Sequence, residues 1–166
     1  MGFFDRFKKK RKVRVPREGF NKPLTFTPQP FDYHPKIILA WAKAIEGNEE
    51  LLDYLWEQGY HELVMTKYAI FLKDKARDWL MENNYPHFMA LIHAAEGNKE
   101  ALNWLAKNKF FLFYNMALAI EGENKGFVWI NKNSTREIFM LTKVIKSVKD
   151  EIEHEHNELH KRSRYT

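Results

Sequence analysis

The feature that most constrains the fold of this chain is a repeat of 25 residues, which runs without a gap from about residue 35 to residue 145. At this period an aromatic column, an apolar column and an alanine column recur. Their members are Tyr54, Trp79, Trp104 and Trp129; Leu55, Leu80, Leu105 and Ile130; and Ala44, Ala69, Ala94 and Ala119. Such a period is typical of stacked supersecondary units, each covering the apolar face of its neighbour.

Each unit is predicted to form two short helices. In the first unit Ile38, Trp41 and Ile45 share one helical face. Gly47 can then end this helix with a positive φ, and Asn48 can cap the next helix. Helices of about ten residues are not stable alone, so they must stack. We therefore predict an all-α fold, a right-angle or superhelical stack of about nine helices (an α-solenoid) with a long C-terminal helix.

The composition outside the repeats divides the chain into three parts. Five of the six prolines lie between residues 15 and 35, where they prevent a continuous helix. We predict a basic amphipathic tail over 1–14, a Pro-rich linker over 15–34, and a repeat domain over 35–162 with four units and a terminal capping helix. Asp74 is expected to cap the second helix of the second unit. A capping box at residues 134–137 is expected to open the last helix.

The last helix keeps an apolar seam that thins after Ile152. This thinning favours an elongated terminal cap, although a short coiled coil with another copy is the alternative. His156 and His160 are spaced i, i+4, but no Glu follows the first His as the zinc-protease pattern requires. We therefore predict no metal site at this end of the chain.

The segment 91–105 resembles the helix-turn-helix half of an ankyrin repeat. It contains an apolar residue, His93, a pair of alanines, Gly97, and then Glu with paired apolar residues. The unit has 25 residues instead of about 33, and the β-finger is missing. The resemblance implies an ankyrin-like helical array over about 35–145, which acts as a protein-binding scaffold and catalyses nothing.

The first helices are expected to present an outward strip opposite the column that contains Ile38. In a helical stack the strip forms one mildly apolar surface, which we predict to bind a peptide or helix of a protein partner. Its members are Met65, Tyr68, Ala90, His93, Asn115 and Leu118. The alternative is that these are ordinary exposed residues, or that they pack against the linker.

The positive charge of the chain is concentrated near its N-terminus. Residues 1–22 carry nine basic and two acidic groups, whereas the other 144 residues carry 18 basic and 20 acidic groups. Three phenylalanines followed by five cations predict contact with an anionic membrane surface. These residues are Phe3, Phe4, Phe7, Lys8, Lys9, Lys10, Arg11 and Lys12. A solubilising tail and a basic arm that contacts nucleic acid nonspecifically are the alternatives.

Several classes of function are disfavoured by what the sequence lacks. There is no cysteine, which excludes thiolate chemistry and favours a reducing compartment. No run of 18 apolar residues occurs. No motif couples a nucleophile, a base and an electrophile, so we expect no enzyme, no cofactor and no small-molecule substrate. We expect a cytoplasmic protein, peripheral at the inner face of the membrane where the tail binds it.

Overall fold

A computed structural model describes residues 31–163 of the chain, with side chains as far as Leu159. The described residues form nine helices and no strands, which confirms the all-α prediction and the long C-terminal helix. The helices are α1 (Pro35–Ile45), α2 (Glu49–Glu57), α3 (His61–Ile70), α4 (Asp74–Glu82), α5 (Pro86–Ala95), α6 (Lys99–Lys107), α7 (Phe111–Glu121), α8 (Asn124–Asn133) and α9 (Arg136–Ser163). The predicted tail and the first part of the predicted linker lie outside the described residues.

Short-range capping sets the starts of several helices. The side chain of Asn48 accepts a hydrogen bond of 2.9 Å from the backbone N–H of Leu51, and Asn98 accepts one of 2.9 Å from Ala101 at the equivalent turn. These bonds satisfy amide groups that have no partner within the helix. The predicted cap at Asp74 is wrong, because this residue is the first residue of α4 and follows the N-cap position.

The start of α9 differs by one residue from the predicted capping box. The helix begins at Arg136, and the Oγ1 atom of Thr135 accepts a hydrogen bond of 3.4 Å from the backbone N–H of Ile138. Thr135, and not Ser134, therefore contributes the capping oxygen. A shift of this size is common at helix ends, where local geometry decides which hydroxyl reaches the amide.

The odd-numbered helices form an inner layer, and the even-numbered helices form an outer layer. Each inner helix packs against the next one, and α9 packs against α1 as well as against α7. The five inner helices therefore close into a ring, which we call the inner ring. Each outer helix packs against the inner helix before it and the inner helix after it. The predicted helix pairs are present, and their array closes on itself.

The centre of the inner ring is the core. The column Ile38, Leu63, Phe88, Phe113 and Ile138 is buried in every unit. Trp41 is fully buried, and its Nε1 donates a hydrogen bond of 2.8 Å to the carbonyl oxygen of Leu63. Because α3 has neighbours on all sides, eight of its ten residues are buried, including polar Thr66. Its hydroxyl is satisfied by the carbonyl of Glu62 at 2.6 Å.

The last residues of the predicted linker pack onto one end of the inner ring. The ring of Phe31 lies 5.3 Å from that of Phe113 and 6.2 Å from that of Trp41. Next to it, the hydroxyl of Tyr33 donates a hydrogen bond of 2.7 Å to Oε1 of Glu62. Burial and the neighbouring Glu62 carboxylate raise the pKa of Tyr33 above its usual value, so this hydroxyl stays protonated. Phe31 thus closes the end of the ring at which the inner helices begin.

Helices α7 and α8 approach each other very closely at Gly126. A Cβ atom added to this glycine would lie 2.4 Å from the carbonyl oxygen of Asn115 and 2.5 Å from the backbone nitrogen of Ala119. The equivalent positions in the second and third units are Ala76 and Ala101, which are accommodated. The last helix pair is therefore packed more tightly than the others, and only glycine fits at its contact.

Candidate interaction surface

The strip predicted to face outward is largely buried. Met65 is 1% exposed, Leu118 is 5% exposed and Asn115 is 8% exposed, so the expectation that they form an exposed strip is wrong. The reason is that each middle inner helix is covered on both flanks by its neighbouring helices. The amide of Asn115 is used within its own helix, where Nδ2 donates to the carbonyl oxygen of Phe111 at 2.8 Å.

Tyr68 remains partly exposed, and charged side chains of α2 and α3 lie next to it. The ammonium of Lys67 lies 4.6 Å from the centre of the Tyr68 ring and 3.7 Å from a carboxylate oxygen of Glu49. Partial burial, followed by the charges of Glu49 and Asp53, raises the pKa of Tyr68. These contacts account for the position of the Tyr68 ring without a ligand.

His93 also remains partly exposed and joins an ionic cluster. Its Nδ1 lies 3.5 Å from Oε2 of Glu96, a carboxylate that also pairs with the guanidinium of Arg77. Nε of Arg77 in turn donates to the carbonyl oxygen of Ala69 at 3.1 Å. Burial opposes ionisation of Glu96, but hydrogen bonds from His93 and Arg77 prevail and lower its pKa. The cluster connects α3, α4 and α5, and these contacts account for the position of the His93 side chain.

The residues predicted to bind a membrane lie outside the described part of the chain. They are Phe3, Phe4, Phe7, Lys8, Lys9, Lys10, Arg11 and Lys12. Within residues 31–163, no helix is both long and apolar enough to cross a membrane. The same residues contain no group of three or more His, Asp or Glu side chains arranged to hold a metal ion.

A small apolar cavity lies inside the inner ring, at the end where the inner helices finish. Its volume is about 30 Å³, and its lining residues come from four inner helices. They include Ile70, Ala95, Ile120 and Ile145, which occupy one repeat column. Binding pockets for small molecules usually measure about 300 Å³ or more. The cavity is therefore a packing defect of a five-helix ring and does not have the size of a metabolite site.

His87 is the described residue with the most unusual chemistry. It is 6% exposed, it stacks on the ring of Phe110 at 5.3 Å, and its Nδ1 has no hydrogen-bond partner. Burial lowers its pKa from about 6.5 to about 4. The neutral imidazole acts here as an apolar member of an aromatic cluster, which also contains the ring of Phe113 at 5.8 Å.

An uncovered junction lies between the first and last inner helices. Within residues 31–163, four of the five junctions of the inner ring carry an outer helix, but the α9–α1 junction carries none. Both helices expose a stripe beside it, and we call the six residues of these stripes the open junction. They are Lys36, Leu39 and Lys43 of α1, and Arg136, Met140 and Lys143 of α9.

The exposure of the open junction follows from its place in the repeat. Leu39 is 37% exposed and Met140 is 46% exposed. Residues at the same repeat positions in the second and third units are buried, namely Val64 and Met89 for Leu39, and Met65 and Ala90 for Met140. In the fourth unit Tyr114, at the position of Leu39, is half-buried. Sequence reasoning missed this surface. The indication available was that the fifth unit has no second helix, because α9 continues without a break.

The electrostatic character of the open junction is cationic. Four of its six residues are Lys or Arg, and they flank the two apolar side chains. Lys43 pairs at 2.6 Å with Glu46, the residue that follows α1, and the ammonium of Lys143 lies 5.5 Å from the centre of the Phe139 ring. A hydrophobic strip between cations has the composition of a docking groove for an acidic amphipathic helix.

Fold and surface together define an all-helical array of paired short helices with a closed inner ring and one uncovered junction. No family model, no curated protein and no solved structure matches the chain. The resemblance to ankyrin repeats therefore rests on the sequence pattern of the helix-turn-helix units alone.

Proposed function

We propose that the protein is a non-catalytic interaction module that binds an amphipathic, acidic helix of a protein partner at the open junction. The observation that carries this proposal is the missing outer helix between α9 and α1. At each of the other four junctions an amphipathic helix of nine or ten residues occupies the equivalent place. A partner helix of that length would cover Leu39 and Met140, whose equivalents in the second and third units are buried.

The chemistry of the partner helix follows from the rim of the open junction. Lys36, Lys43, Arg136 and Lys143 favour carboxylates along the edges of a docked helix. The outer helices are joined to the inner ones by tight turns such as residues 46–48, and they run antiparallel to them. We expect the partner helix to run antiparallel to α9 and α1 as well, with its carboxylates beside these cations. The sequence resemblance to an ankyrin-like scaffold supports the same class of function.

We further propose that the N-terminal segment holds this module at an anionic membrane surface. The support is the sequence of residues 1–14, in which phenylalanines precede a run of lysines and arginines. Such a segment combines insertion of aromatic rings with attraction of about 1 kcal/mol per cation near a charged surface. The 144 residues that follow residue 22 have a small excess of acidic groups, so the attraction would come from the N-terminal segment itself.

The docking proposal is tested by a photo-crosslinking amino acid placed at Met140 in the full chain and expressed in its native cells. Met81 is the matched control, because it is also an exposed methionine (37%) but lies on α4, away from the open junction. We expect a crosslink at position 140 to a segment that is helical and acidic, and none at position 81. Equal crosslinking at both positions, or no crosslink at position 140, would refute the docking site.

The membrane proposal is tested by co-sedimentation of the full chain with vesicles of neutral or anionic phospholipid. Substitution of Phe3, Phe4 and Phe7 by Ser, and separately of Lys8, Lys9 and Lys10 by Gln, should each weaken binding to the anionic vesicles. Equal binding to both vesicle types contradicts the proposed attraction. Binding to duplex DNA in preference to vesicles, with a steep dependence on salt, would support the nucleic-acid alternative instead.

A further inference from the structure

We infer that the helix docked on the open junction is α9 of a second copy of this chain, paired antiparallel to the first α9 about a two-fold axis at Ser147. This inference rests on the proposed function and names its partner. It is carried by the length of α9, by the residues along its exposed face and by the distribution of charge along it.

Helix α9 is much longer than the ring it belongs to. It has 28 residues, about 42 Å at 1.5 Å per residue, whereas the other inner helices have 10 or 11 residues. It packs against α1 and α7, and its buried residues end at Val148. Because α9 is more than twice as long as either of these helices, its second half continues beyond them. Leu159, in that continuation, is 66% exposed. A helix that projects in this way can reach a second molecule.

One exposed stripe runs along the whole described length of α9. Its residues follow each other at spacings of three or four, which places them on one face of a helix. They are Arg136, Met140, Lys143, Ser147, Glu151, His154 and Glu158. The first six are exposed, and Glu158 is partly exposed. Met140 and the two cations of this stripe already belong to the open junction.

The charges of the stripe are complementary to themselves when the helix is reversed. Residues 136–149 contain four basic groups and one acidic group, whereas residues 150–159 contain five acidic groups and no Lys or Arg. An antiparallel pair centred on Ser147 places Lys143 opposite Glu151 of the second copy, Arg136 opposite its Glu158, and Met140 opposite its His154. A parallel pair would instead place Lys143 beside Lys143 and Glu151 beside Glu151, which is repulsive.

The same arrangement satisfies the geometry of the open junction. Ser147 is small, so two helices can approach closely where they cross on the axis. The antiparallel direction is also that of the four outer helices relative to the inner ring. The C-terminal half of the second α9, with its carboxylates, would then face Lys36 and Lys43 as well as Lys143. The contact is isologous, so each residue pair occurs twice, once on either side of the two-fold axis.

The N-terminal segment of the chain is a poorer occupant of the open junction. Residues 1–22 carry nine basic groups and two acidic ones, so they would bring positive charge to a surface that already has four cations. A helix from an unrelated protein fits only if it repeats the acidic pattern. Within this chain, the acidic half of α9 has that pattern.

The pairing is tested by sedimentation equilibrium of the full chain over a range of concentrations. We expect a monomer–dimer equilibrium that weakens with added salt. Lys143→Glu and Glu151→Lys should each weaken dimerisation at least about tenfold, because each change creates two repulsive pairs. The double variant should restore the affinity of the unmodified chain. Lys132→Glu on α8 is the control for a change of charge away from the stripe, and it should dimerise normally.

The position of the axis is tested by a single cysteine, because the chain has none of its own. Ser147→Cys, oxidised with diamide, should form a disulfide-linked dimer rapidly, since a disulfide needs the two Cβ atoms about 4 Å apart. Val128→Cys, at an exposed site on α8, should react far more slowly.

Several outcomes would overturn the inference. One is a chain that stays monomeric at all concentrations, and others are a dimer that neither charge variant weakens or equal disulfide rates for the two cysteine variants. A monomeric chain whose position 140 still crosslinks to an acidic helix of another protein would refute the self-pairing and leave the proposed function intact.

Discussion

The buried imidazole of His87 should make the stability of the protein depend on pH in a defined window. Burial lowers its pKa from about 6.5 to about 4, so the unfolded chain binds a proton at this residue more readily than the folded chain does. Protonation therefore favours unfolding. The stabilising effect of a neutral His87 is complete above pH 6.5 and is lost progressively as the pH falls towards 4.

The size of the effect follows from the difference between the two pKa values. One pKa unit corresponds to about 1.4 kcal/mol, so the full shift is worth roughly 3 kcal/mol. About 2 kcal/mol of this should be lost between pH 7 and pH 5, before most carboxylates titrate. For a domain of this length, that loss lowers the melting temperature by roughly 4–8 °C. Over this range of pH the titration of His87 can be distinguished from that of the acidic side chains, most of which titrate at lower pH.

The assay is urea unfolding of the full chain at pH 7, 6 and 5, followed by circular dichroism. His87→Leu is the informative variant, because Leu112 and Ile37 occupy the same repeat column and show that an aliphatic side chain fits there. This variant should lose the dependence on pH over the window. His154→Gln, at an exposed site on α9, should retain it. If His87→Leu kept the full dependence, the assignment of the effect to this buried imidazole would be wrong.

Three further substitutions test the packing by denaturant unfolding. Gly126→Ala should destabilise the protein by about 3 kcal/mol, because the added Cβ atom would collide with the backbone at Asn115. Alanine usually stabilises a helix relative to glycine, so a stabilised variant would contradict the close contact. Leu72→Gly should stabilise by about 0.5–1 kcal/mol, since Leu72 has φ 61° where glycine is unstrained; no gain would mean that no strain is present. Trp41→Phe should cost about 2–4 kcal/mol through the lost hydrogen bond to Leu63 and a cavity, and a cost below about 1 kcal/mol would refute the role of that bond.

Much of the fold could be predicted from the sequence because it is local and periodic. The 25-residue period, the apolar face with Ile38 and Trp41, and the cap at Asn48 depend on residues within one unit. Helix spacing and turn chemistry determine such features over a few residues. For this reason the sequence predicts the helix pairs and the long last helix. The predicted capping residues of α4 and α9 each differ from the observed cap position by one residue.

The closure of the ring and the exposed surface could not be predicted in the same way. Whether α9 returns to α1 depends on small rotations between successive helix pairs, which accumulate over four units and leave no pattern in any single one. The prediction of an exposed strip with Met65, Asn115 and Leu118 considers one face of a single helix, opposite the column that contains Ile38. Neighbouring helices on both flanks bury these residues, and the open junction is the uncovered surface. The inward packing of Phe31 could not be predicted either, since it depends on the end of a closed ring.

Contact between α9 and α1 also limits how a protein of this architecture can change its length. An open array gains or loses a unit at either end, and the remaining units keep their contacts. In a closed ring, duplication of one 25-residue unit would increase the circumference and separate the two helices that meet. Both would then expose apolar side chains that are now buried, including Ile38 and Ile138. The geometry of the closed ring therefore determines the number of units. A change in that number requires new packing angles between all of the inner helices.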